Sequence, residues 1–153
     1  MKIERIFIEE AAKNNDVALS IPSRFPKAQI TYIEDHTQIW GRVKKPYLQK
    51  RESLNLFIAN KKGTLVREAP DAYGLAGEPH YYFIHAYNCI YECEYCYLQG
   101  YFNSPDIVLF INHEEIAIEI KKTYEQFLQG SEEGKNIWFH AGEFSDSLAL
   151  SHL

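Results

Sequence analysis

The stretch HYYFIHAYNCIYECEYCY, residues 80–97, joins a nearly continuous apolar run to a loop that holds every cysteine of the chain. Cys89, Cys93 and Cys96 follow the spacing C-x3-C-x2-C, with a tyrosine on either side of the last one. An apolar run such as 80–85 is typical of a parallel strand that is buried on both faces. The loop then lies at the carboxyl end of that strand, where α/β folds place their active sites. The stretch therefore predicts an α/β fold with a cysteine loop at its functional edge.

The cysteine loop favours an iron-sulfur cluster. Three cysteines within eight residues exclude a framework of disulfides, because their number is odd and they lie close together. Three thiolates can bind three irons of a 4Fe-4S cluster, and the open fourth iron can bind the amino and carboxylate groups of S-adenosylmethionine (SAM). An electron from the reduced cluster then cleaves the C5′–S bond of SAM and releases a 5′-deoxyadenosyl radical. Two alternatives stay open: a zinc ion held by the cysteines and His85, and buried structural thiols without a metal.

The sequence after the cysteine loop continues the α/β pattern. The apolar runs 106–111 and 136–141 predict two further strands that are adjacent and parallel to the strand at 80–85. The carboxyl ends of all three strands are expected on the side of the cysteine loop. The order of strands and helices predicts a parallel sheet or barrel with right-handed crossovers.

The best helix of the sequence lies between the second and third of these strands. Asn112 and Glu115 are placed as its capping box, and Gly130 follows its end. Its predicted apolar stripe consists of Ile116, Ile120, Tyr124, Phe127 and Leu128. A further helix is expected to begin near Ser145, with Asp146 favourable in its first turn.

The last residues predict an uncovered apolar face. Leu148, Leu150 and Leu153 would share one side of the helix that begins near Ser145, and no later residue covers it. We therefore expect the chain to be an amino-terminal fragment that associates through this face and through an open sheet edge.

The amino-terminal half predicts a smaller α/β unit. ERIFIE at 4–9 and AQITYIE at 28–34 alternate polar and apolar residues like half-buried strands, and a short helix at 17–25 lies between them. LFIA at 56–59 and TLVRE at 64–68 flank a turn-like sequence and predict a hairpin. Residues 1–79 are thus expected to form one region with a basic connecting segment, and residues 80–153 the start of a second.

Composition bounds the class of protein. The chain has 153 residues, 46% of them hydrophobic, and a net charge of -5, so it is a globular domain and mildly acidic. It has no signal peptide and no run of 18 apolar residues, so a soluble cytoplasmic protein without a membrane partner is the default prediction.

One segment, 42–67, is basic, with eight Lys or Arg residues and one acid. It could bind phosphates of DNA, with Trp40, Tyr47 and Phe57 stacking on bases. A solvated lysine-rich loop is favoured, because the acidic chain lacks a broad positive surface.

The sequence CEYCYLQGY at 93–101, the run IVLFI at 107–111 and FSDSLALSHL at 144–153 resemble the spore photoproduct lyase family of radical SAM enzymes. The resemblance implies a partial (β/α)6 barrel, of which this chain would supply the first three strands. It also implies a 4Fe-4S cluster and SAM as cofactors and repair of a thymine lesion in DNA as the activity. DNA and an electron donor such as flavodoxin or ferredoxin are the partners that it implies.

The resemblance assigns roles to individual positions. Cys89, Cys93 and Cys96 match the cluster ligands. Tyr95 and Tyr97 match tyrosines that lie beside the cofactor and relay hydrogen, and they are the expected catalytic residues. The pair Ser145-Asp146 matches residues that contact the amino-acid part of SAM.

One position departs from the family. Where its members carry a cysteine that donates a hydrogen atom to the repaired thymine, this chain has Glu143. Gly142-Glu143 resembles the Gly-Glu element that holds the SAM ammonium in many radical SAM enzymes, whereas an exposed loop acid is the simpler interpretation. Three hypotheses follow: a DNA lyase, a radical SAM enzyme with a substrate other than DNA, and a non-catalytic zinc or cluster module.

Overall fold

The computed structural model describes residues 2–42, 52–70, 78–91, 93–130 and 136–153. In chain order their strands and helices are β1 Ile3–Glu9, α1 Asp16–Arg24, β2 Gln29–Ile33, β3 Leu54–Ala59, β4 Val66–Glu68, β5 His80–Phe83, β6 Ala86–Tyr87, α2 Leu98–Tyr101, β7 Ile107–Phe110, α3 His113–Gly130 and β8 Trp138–Ala141. The strands form a five-stranded sheet in the order β2-β1-β3-β7-β6 and a three-stranded sheet in the order β4-β5-β8. The predicted mixed α/β fold with a parallel sheet is confirmed.

The amino-terminal β-α-β unit is confirmed as well. β1 and β2 are parallel neighbours, and α1 connects them. The Asn15 side chain caps α1 by accepting a hydrogen bond of 2.9 Å from the backbone N–H of Val17. Alternating side chains and a local cap suffice to specify such a unit, since strands joined by a helix become parallel neighbours.

The predicted hairpin of residues 56–59 and 64–68 is wrong. β3 is the central strand of the larger sheet and pairs in parallel with β1 and β7. β4 belongs to the smaller sheet, where it is antiparallel to β5. The residues from Leu56 to Ala59 are all buried, which an exposed hairpin arm would not allow. The segment therefore contributes to the core and is not simply a connection.

The three strands predicted to be adjacent are only partly so. β5 and β8 are parallel neighbours, with Phe83 opposite Ala141. β7 is a buried strand as predicted, but it lies between β3 and β6 in the larger sheet. An apolar run indicates that both faces of a strand are covered, but it does not specify the neighbouring strands. The division of the chain after residue 79 stays a prediction, although β7 pairs with a strand from the first part.

The helix α3 is confirmed and begins directly after Asn112 as predicted, but Gly130 is its last residue and its capping and burial differ from the prediction. Asn112 does not form the expected capping box: its side chain accepts from the Lys61 N–H (2.7 Å) and donates to the Lys61 carbonyl (3.1 Å) and to Glu115 Oε2 (2.7 Å). Of the predicted apolar stripe only Ile116 is buried, and Tyr124 and Leu128 are exposed. Most of this helix therefore lies outside the core of the described residues.

The expected helix near the end is a series of turns. Ala149 N–H donates to the Asp146 carbonyl and Ser151 N–H to the Leu148 carbonyl, which is the spacing of successive turns. Leu150 is buried, whereas Leu148 is 72% exposed. The predicted uncovered face of three leucines is therefore wrong for Leu150.

Among the described residues no helix combines the length and the hydropathy that crossing a membrane requires.

The larger sheet has two different faces. One face packs aliphatic residues, among them Ile6, Leu56 and Ile58. The other face is aromatic, and Phe57 stacks on Phe7 with 4.7 Å between ring centroids. Tyr82 of β5 and Phe144 after β8 also pack on the aromatic face. This aromatic layer packs the smaller sheet against the larger one, whereas Cys89 and Ile90 at the start of the cysteine loop pack on the aliphatic face.

Candidate functional site

The cysteine loop begins directly after β6, at the carboxyl end of β5. Cys89, Cys93 and Cys96 are free thiols, and each is half-buried. The loop is shaped by its own backbone: the Cys96 N–H donates to the Cys93 carbonyl at 2.9 Å, and Gln99 Nε2 donates to the same carbonyl at 2.6 Å. A half-buried thiol is accessible to a ligand and is also partly shielded from water, as a cluster ligand needs to be.

The loop after β8 requires glycine at its first position. Gly142 has a φ of +85°, and a Cβ atom built there would lie 2.6 Å from the Ser145 carbonyl oxygen and 2.9 Å from the Ser147 nitrogen. Ser145 is buried, and the Asp146 carboxylate accepts from the Leu148 N–H at 2.9 Å. This tight turn holds the backbone of residues 142–146 in one compact arrangement.

The two loops meet at one edge of the smaller sheet. The Tyr97 hydroxyl donates a hydrogen bond of 2.6 Å to the Glu143 backbone carbonyl. The expectation that Glu143 lies at the same end of the strands as the cysteine loop is therefore confirmed. The structure thus brings together two groups of residues that lie more than 40 positions apart in the sequence.

The two tyrosines of the cysteine motif have different surroundings. Tyr95 is 92% exposed, and a hydrogen bond with Cys93, followed by the electrostatic interaction with the same residue, raises its pKa. Tyr97 is held through its hydroxyl by the loop after β8. The Tyr101 ring stacks on Phe144 at 5.2 Å, which adds an apolar contact between the same two loops.

The histidines at the ends of β5 and β8 are not brought together with the cysteines as a zinc site. Among the described residues, only Glu9, Asp35 and His36 place three metal-binding atoms within 4.8 Å of one another. The three cysteine sulfurs therefore do not all lie within 4.8 Å of one another. His140 Nε2 instead lies 2.9 Å from His80 Nδ1, in a stacked pair.

His85 lies between the two loops and the larger sheet. Burial is the largest effect on its imidazole and lowers its pKa, while a hydrogen bond with the Asp146 backbone opposes that shift. Its Nε2 atom is buried, and no hydrogen-bond partner for it exists among the described residues. A neutral imidazole suits this partly apolar position.

The group of Glu9, Asp35 and His36 was not predicted from the sequence. Glu9 is fully buried at the end of β1 and accepts from His36 Nδ1 at 2.7 Å and from the backbone N–H groups of His36 and Asn60. Lys62 Nζ lies 2.5 Å from Asp35 and 4.0 Å from Glu9. Lys62 thus already pairs with both carboxylates of this group, which ties the ends of three strands together.

Two of the three predicted base-stacking residues pack against other rings of the protein. Phe57 is buried, and Trp40 packs on Tyr87 with 5.4 Å between the ring centroids while its Nε1 donates to the Asp106 carbonyl. Tyr47 lies outside the described residues, as do Lys44, Lys45, Lys50 and Arg51 of the basic segment.

Of the remaining basic residues, Arg42, Lys62 and Arg67 are exposed. Lys61 is buried with its Nζ 5.7 Å from the centre of the Phe110 ring. The described part of the segment therefore does not form a uniform surface of solvated lysines.

Sequence reasoning also missed Asn88, the residue directly before Cys89. It has a φ of 61°, it is buried, and its side chain is hydrogen bonded to the segment that follows the loop. The available signal was the residue type, since asparagine adopts positive φ more readily than other residues with a side chain.

The fold is similar to the solved structure of a cysteine-to-alanine variant of spore photoproduct lyase, with a TM-score of 0.69 and 18% sequence identity. The similarity covers 98% of this chain and 42% of that one, so this chain spans less than half the length of the enzyme that it matches. No protein-family profile and no curated protein sequence matches the chain. At this identity the similarity shows the fold alone.

Proposed function

We propose that this protein is a radical SAM enzyme of the spore photoproduct lyase type. The observation that carries the proposal is the hydrogen bond from Tyr97 to the Glu143 carbonyl. It joins the cysteine loop to the loop after the neighbouring parallel strand, so both predicted binding loops lie at one edge. In this proposal β5 and β8 are neighbouring strands of a partial (β/α)6 barrel.

The residues present fit a 4Fe-4S cluster and SAM. Three free, half-buried thiols within one loop suit a cluster in which each thiolate binds a different iron. Gly142 leaves the backbone bare, with no room for a Cβ, where the family resemblance expects SAM to bind. Cys89, Cys93 and Cys96 would hold the cluster, and residues 142–146 would hold the amino-acid part of SAM.

A reduced cluster with bound SAM supplies a 5′-deoxyadenosyl radical, which abstracts hydrogen atoms from substrate. The chain's own residues would bind the cluster and SAM and orient them. The Tyr97 hydrogen bond would fix the distance between the two loops, and the compact turn at Gly142 would hold residues 142–146 in one arrangement for binding. Tyr95 and Tyr97 are the proposed hydrogen relay. For Tyr97 to take part in this relay, its hydroxyl would have to break its hydrogen bond to the Glu143 carbonyl.

Repair of a thymine lesion in DNA is the substrate class that the resemblance suggests, with flavodoxin or ferredoxin as electron donor. A second candidate is a radical SAM reaction on a substrate other than DNA. Glu143 favours the second candidate, because a carboxylate has no weak bond to hydrogen that could quench a thymine radical. The burial of Phe57 also favours it, since that ring is not free to stack on a base.

Anaerobic reconstitution tests the cluster. We expect about four irons and four sulfides per chain. Cys89→Ala, Cys93→Ala and Cys96→Ala should each remove most of this iron. Tyr91→Phe, an exposed change within the same loop, is the matched control and should retain it. Stoichiometric zinc that resists exchange with iron would contradict the proposal and favour a zinc module.

A damaged oligonucleotide separates the two substrate classes. The reconstituted protein is incubated with SAM, a reductant and DNA that contains the thymine lesion, with undamaged DNA as control. Restoration of two thymines supports the lyase function. Cleavage of SAM without any loss of the lesion supports the second candidate.

A further inference from the structure

Asn88 has an unusual backbone conformation at the entry to the cysteine loop. Within the described ranges it is the one residue other than glycine with a positive φ, at 61°. It is 6% exposed and directly precedes Cys89. Left-handed conformations cost free energy for residues with a side chain, and they persist where the surroundings enforce them. Such strain concentrates at functional sites.

The side chain of Asn88 holds the two ends of the cysteine loop together. Its Nδ2 donates to the Ser104 carbonyl at 2.6 Å and to the Asp106 carbonyl at 2.7 Å. Both carbonyls belong to the segment that leads from the loop into β7. One amide group thus satisfies two backbone acceptors and fixes the exit of the loop relative to its entry.

The far end of this contact is anchored in the larger sheet. The Asp106 carboxylate accepts from the Asn55 backbone N–H at 2.9 Å and from Asn55 Nδ2 at 3.1 Å, at the beginning of β3. The Asp106 carbonyl also accepts from Trp40 Nε1 at 2.9 Å. The hydrogen bonds of Asn88 therefore connect the cysteine loop to the central strand of the five-stranded sheet.

We propose that Asn88 is the positioning residue of the cysteine loop. Its left-handed backbone turns the chain from β6 into the loop, and its amide ties the loop to the anchored segment before β7. Together they keep the three thiols in an arrangement that binds a cluster. The inference rests on the proposed cluster function. It adds that the Asn88 amide is the group through which the five-stranded sheet controls the shape of the cysteine loop.

Three substitutions separate the two contributions. Asn88→Ala removes the amide and disfavours the positive φ. Asn88→Gly removes the amide but accommodates the positive φ, so it should be the mildest. Asn88→Asp preserves size but places an acceptor opposite two carbonyls. Asn103→Ala, an exposed asparagine between α2 and β7, is the matched control.

Two measurements are made on each variant. The first is amide hydrogen exchange of residues 89–96 before any metal is added, compared with exchange in β1 and β3. The second is the rate at which reconstituted protein loses iron to a chelator. We expect Asn88→Ala to accelerate both loop exchange and iron loss about tenfold, since two buried hydrogen bonds are removed. Asn88→Asp should be equally harmful, and Asn103→Ala should match the unsubstituted protein.

The outcomes are distinguishable from failure of the cluster proposal. Faster exchange confined to the loop, with partial rescue by Asn88→Gly, supports the inference even if the protein binds no iron. Equal acceleration in β1 and β3 would mean a general loss of stability and would overturn it. So would loop exchange in Asn88→Asp and Asn88→Gly that matches the control. If Asn88→Ala does not fold, these two variants decide.

Discussion

The two sheets of this molecule differ in how deeply their strands are buried. In the five-stranded sheet, β3 and β7 are covered on both faces, and every residue of β7 is buried. In the three-stranded sheet, β8 has no buried residue and Trp138 is 42% exposed. The candidate site takes one loop from each sheet, because the cysteine loop follows β6 of the larger sheet and residues 142–146 follow β8 of the smaller one. Asn88 ties the cysteine loop to the segment before β7 of the larger sheet. The two sheets thus differ in burial, and the candidate site joins them.

The first prediction asks whether the larger sheet carries the stability. Phe57→Ala should lower the free energy of unfolding by about 3–5 kcal/mol, because it removes a buried ring that stacks on Phe7. Trp138→Ala on the smaller sheet should cost about 1 kcal/mol, because the ring is partly exposed and loses one hydrogen bond to Glu78. Urea unfolding of both variants measures the difference. Equal costs would remove the distinction between the sheets.

The second prediction concerns the turn after β8. Gly142→Ala should cost about 2–3 kcal/mol, because it combines a positive φ with a clash against backbone atoms. Gly63→Ala is the matched control: its φ is +75°, but nothing lies within 4 Å of the added Cβ, so the cost should be about 1 kcal/mol. Denaturant unfolding and the affinity of the reconstituted protein for SAM are measured for both. A Gly142→Ala variant that matches Gly63→Ala would show that the close approach is unimportant.

The third prediction concerns how the stability contributed by Glu9 and by His85 depends on pH. Burial raises the pKa of Glu9, but the hydrogen bonds from His36 and Asn60 outweigh it and hold this pKa below its ordinary value of 4.5. Burial also holds the pKa of His85 below its ordinary value of 6.5. In both cases the unfolded chain takes up a proton before the folded one, so stability present at higher pH is lost on acidification.

The two losses should occur in different pH ranges. The His85 contribution should fall as the pH drops below 6.5, and the Glu9 contribution as it drops below 4.5. Thermal unfolding between pH 8 and pH 3 tests this on the unsubstituted protein, His85→Gln and Glu9→Gln. His85→Gln should remove the pH dependence of stability only in the range assigned to His85, and Glu9→Gln only in the range assigned to Glu9. A single transition that neither variant alters would contradict the assignment.

The smallest effect is expected from Tyr97→Phe. It removes one hydrogen bond between exposed groups and should change the free energy of unfolding by only about 0.5 kcal/mol. Amide exchange at residues 93–97 and 142–146 should nevertheless increase, because the two loops lose their direct link. Tyr91→Phe, another exposed tyrosine of the loop, should change neither. Unchanged exchange in Tyr97→Phe would show that the loops are held by other contacts.

Local patterns predicted the fold where neighbours in sequence are also neighbours in space. The β1-α1-β2 unit and the helix α3 follow from periodicity and from the residues at their ends. The hairpin of 56–59 and 64–68 failed because its two arms pair with distant strands. The pattern of apolar side chains indicates how deeply a strand is buried, whereas the strand it pairs with depends on the rest of the chain.

The chemistry of the candidate site was predicted from the sequence, and its structural support was not. The spacing of the cysteines predicts a cluster loop by itself, and this stays a prediction. The turn that excludes a Cβ at Gly142 and the two hydrogen bonds of Asn88 depend on backbone atoms brought close by folding. Asp106, which anchors Asn88, was included in the sequence analysis only as the first residue of the predicted strand 106–111.

The central claim is that the cysteine loop and the loop at residues 142–146 bind one cofactor pair. Electron paramagnetic resonance of the anaerobically reconstituted and reduced protein, recorded with and without SAM, tests it most directly. We expect a signal of a reduced 4Fe-4S cluster whose shape changes when SAM is added, a change that Gly142→Ala weakens while Gly63→Ala preserves it. A cluster signal that SAM leaves unaltered at saturating concentration would contradict the claim.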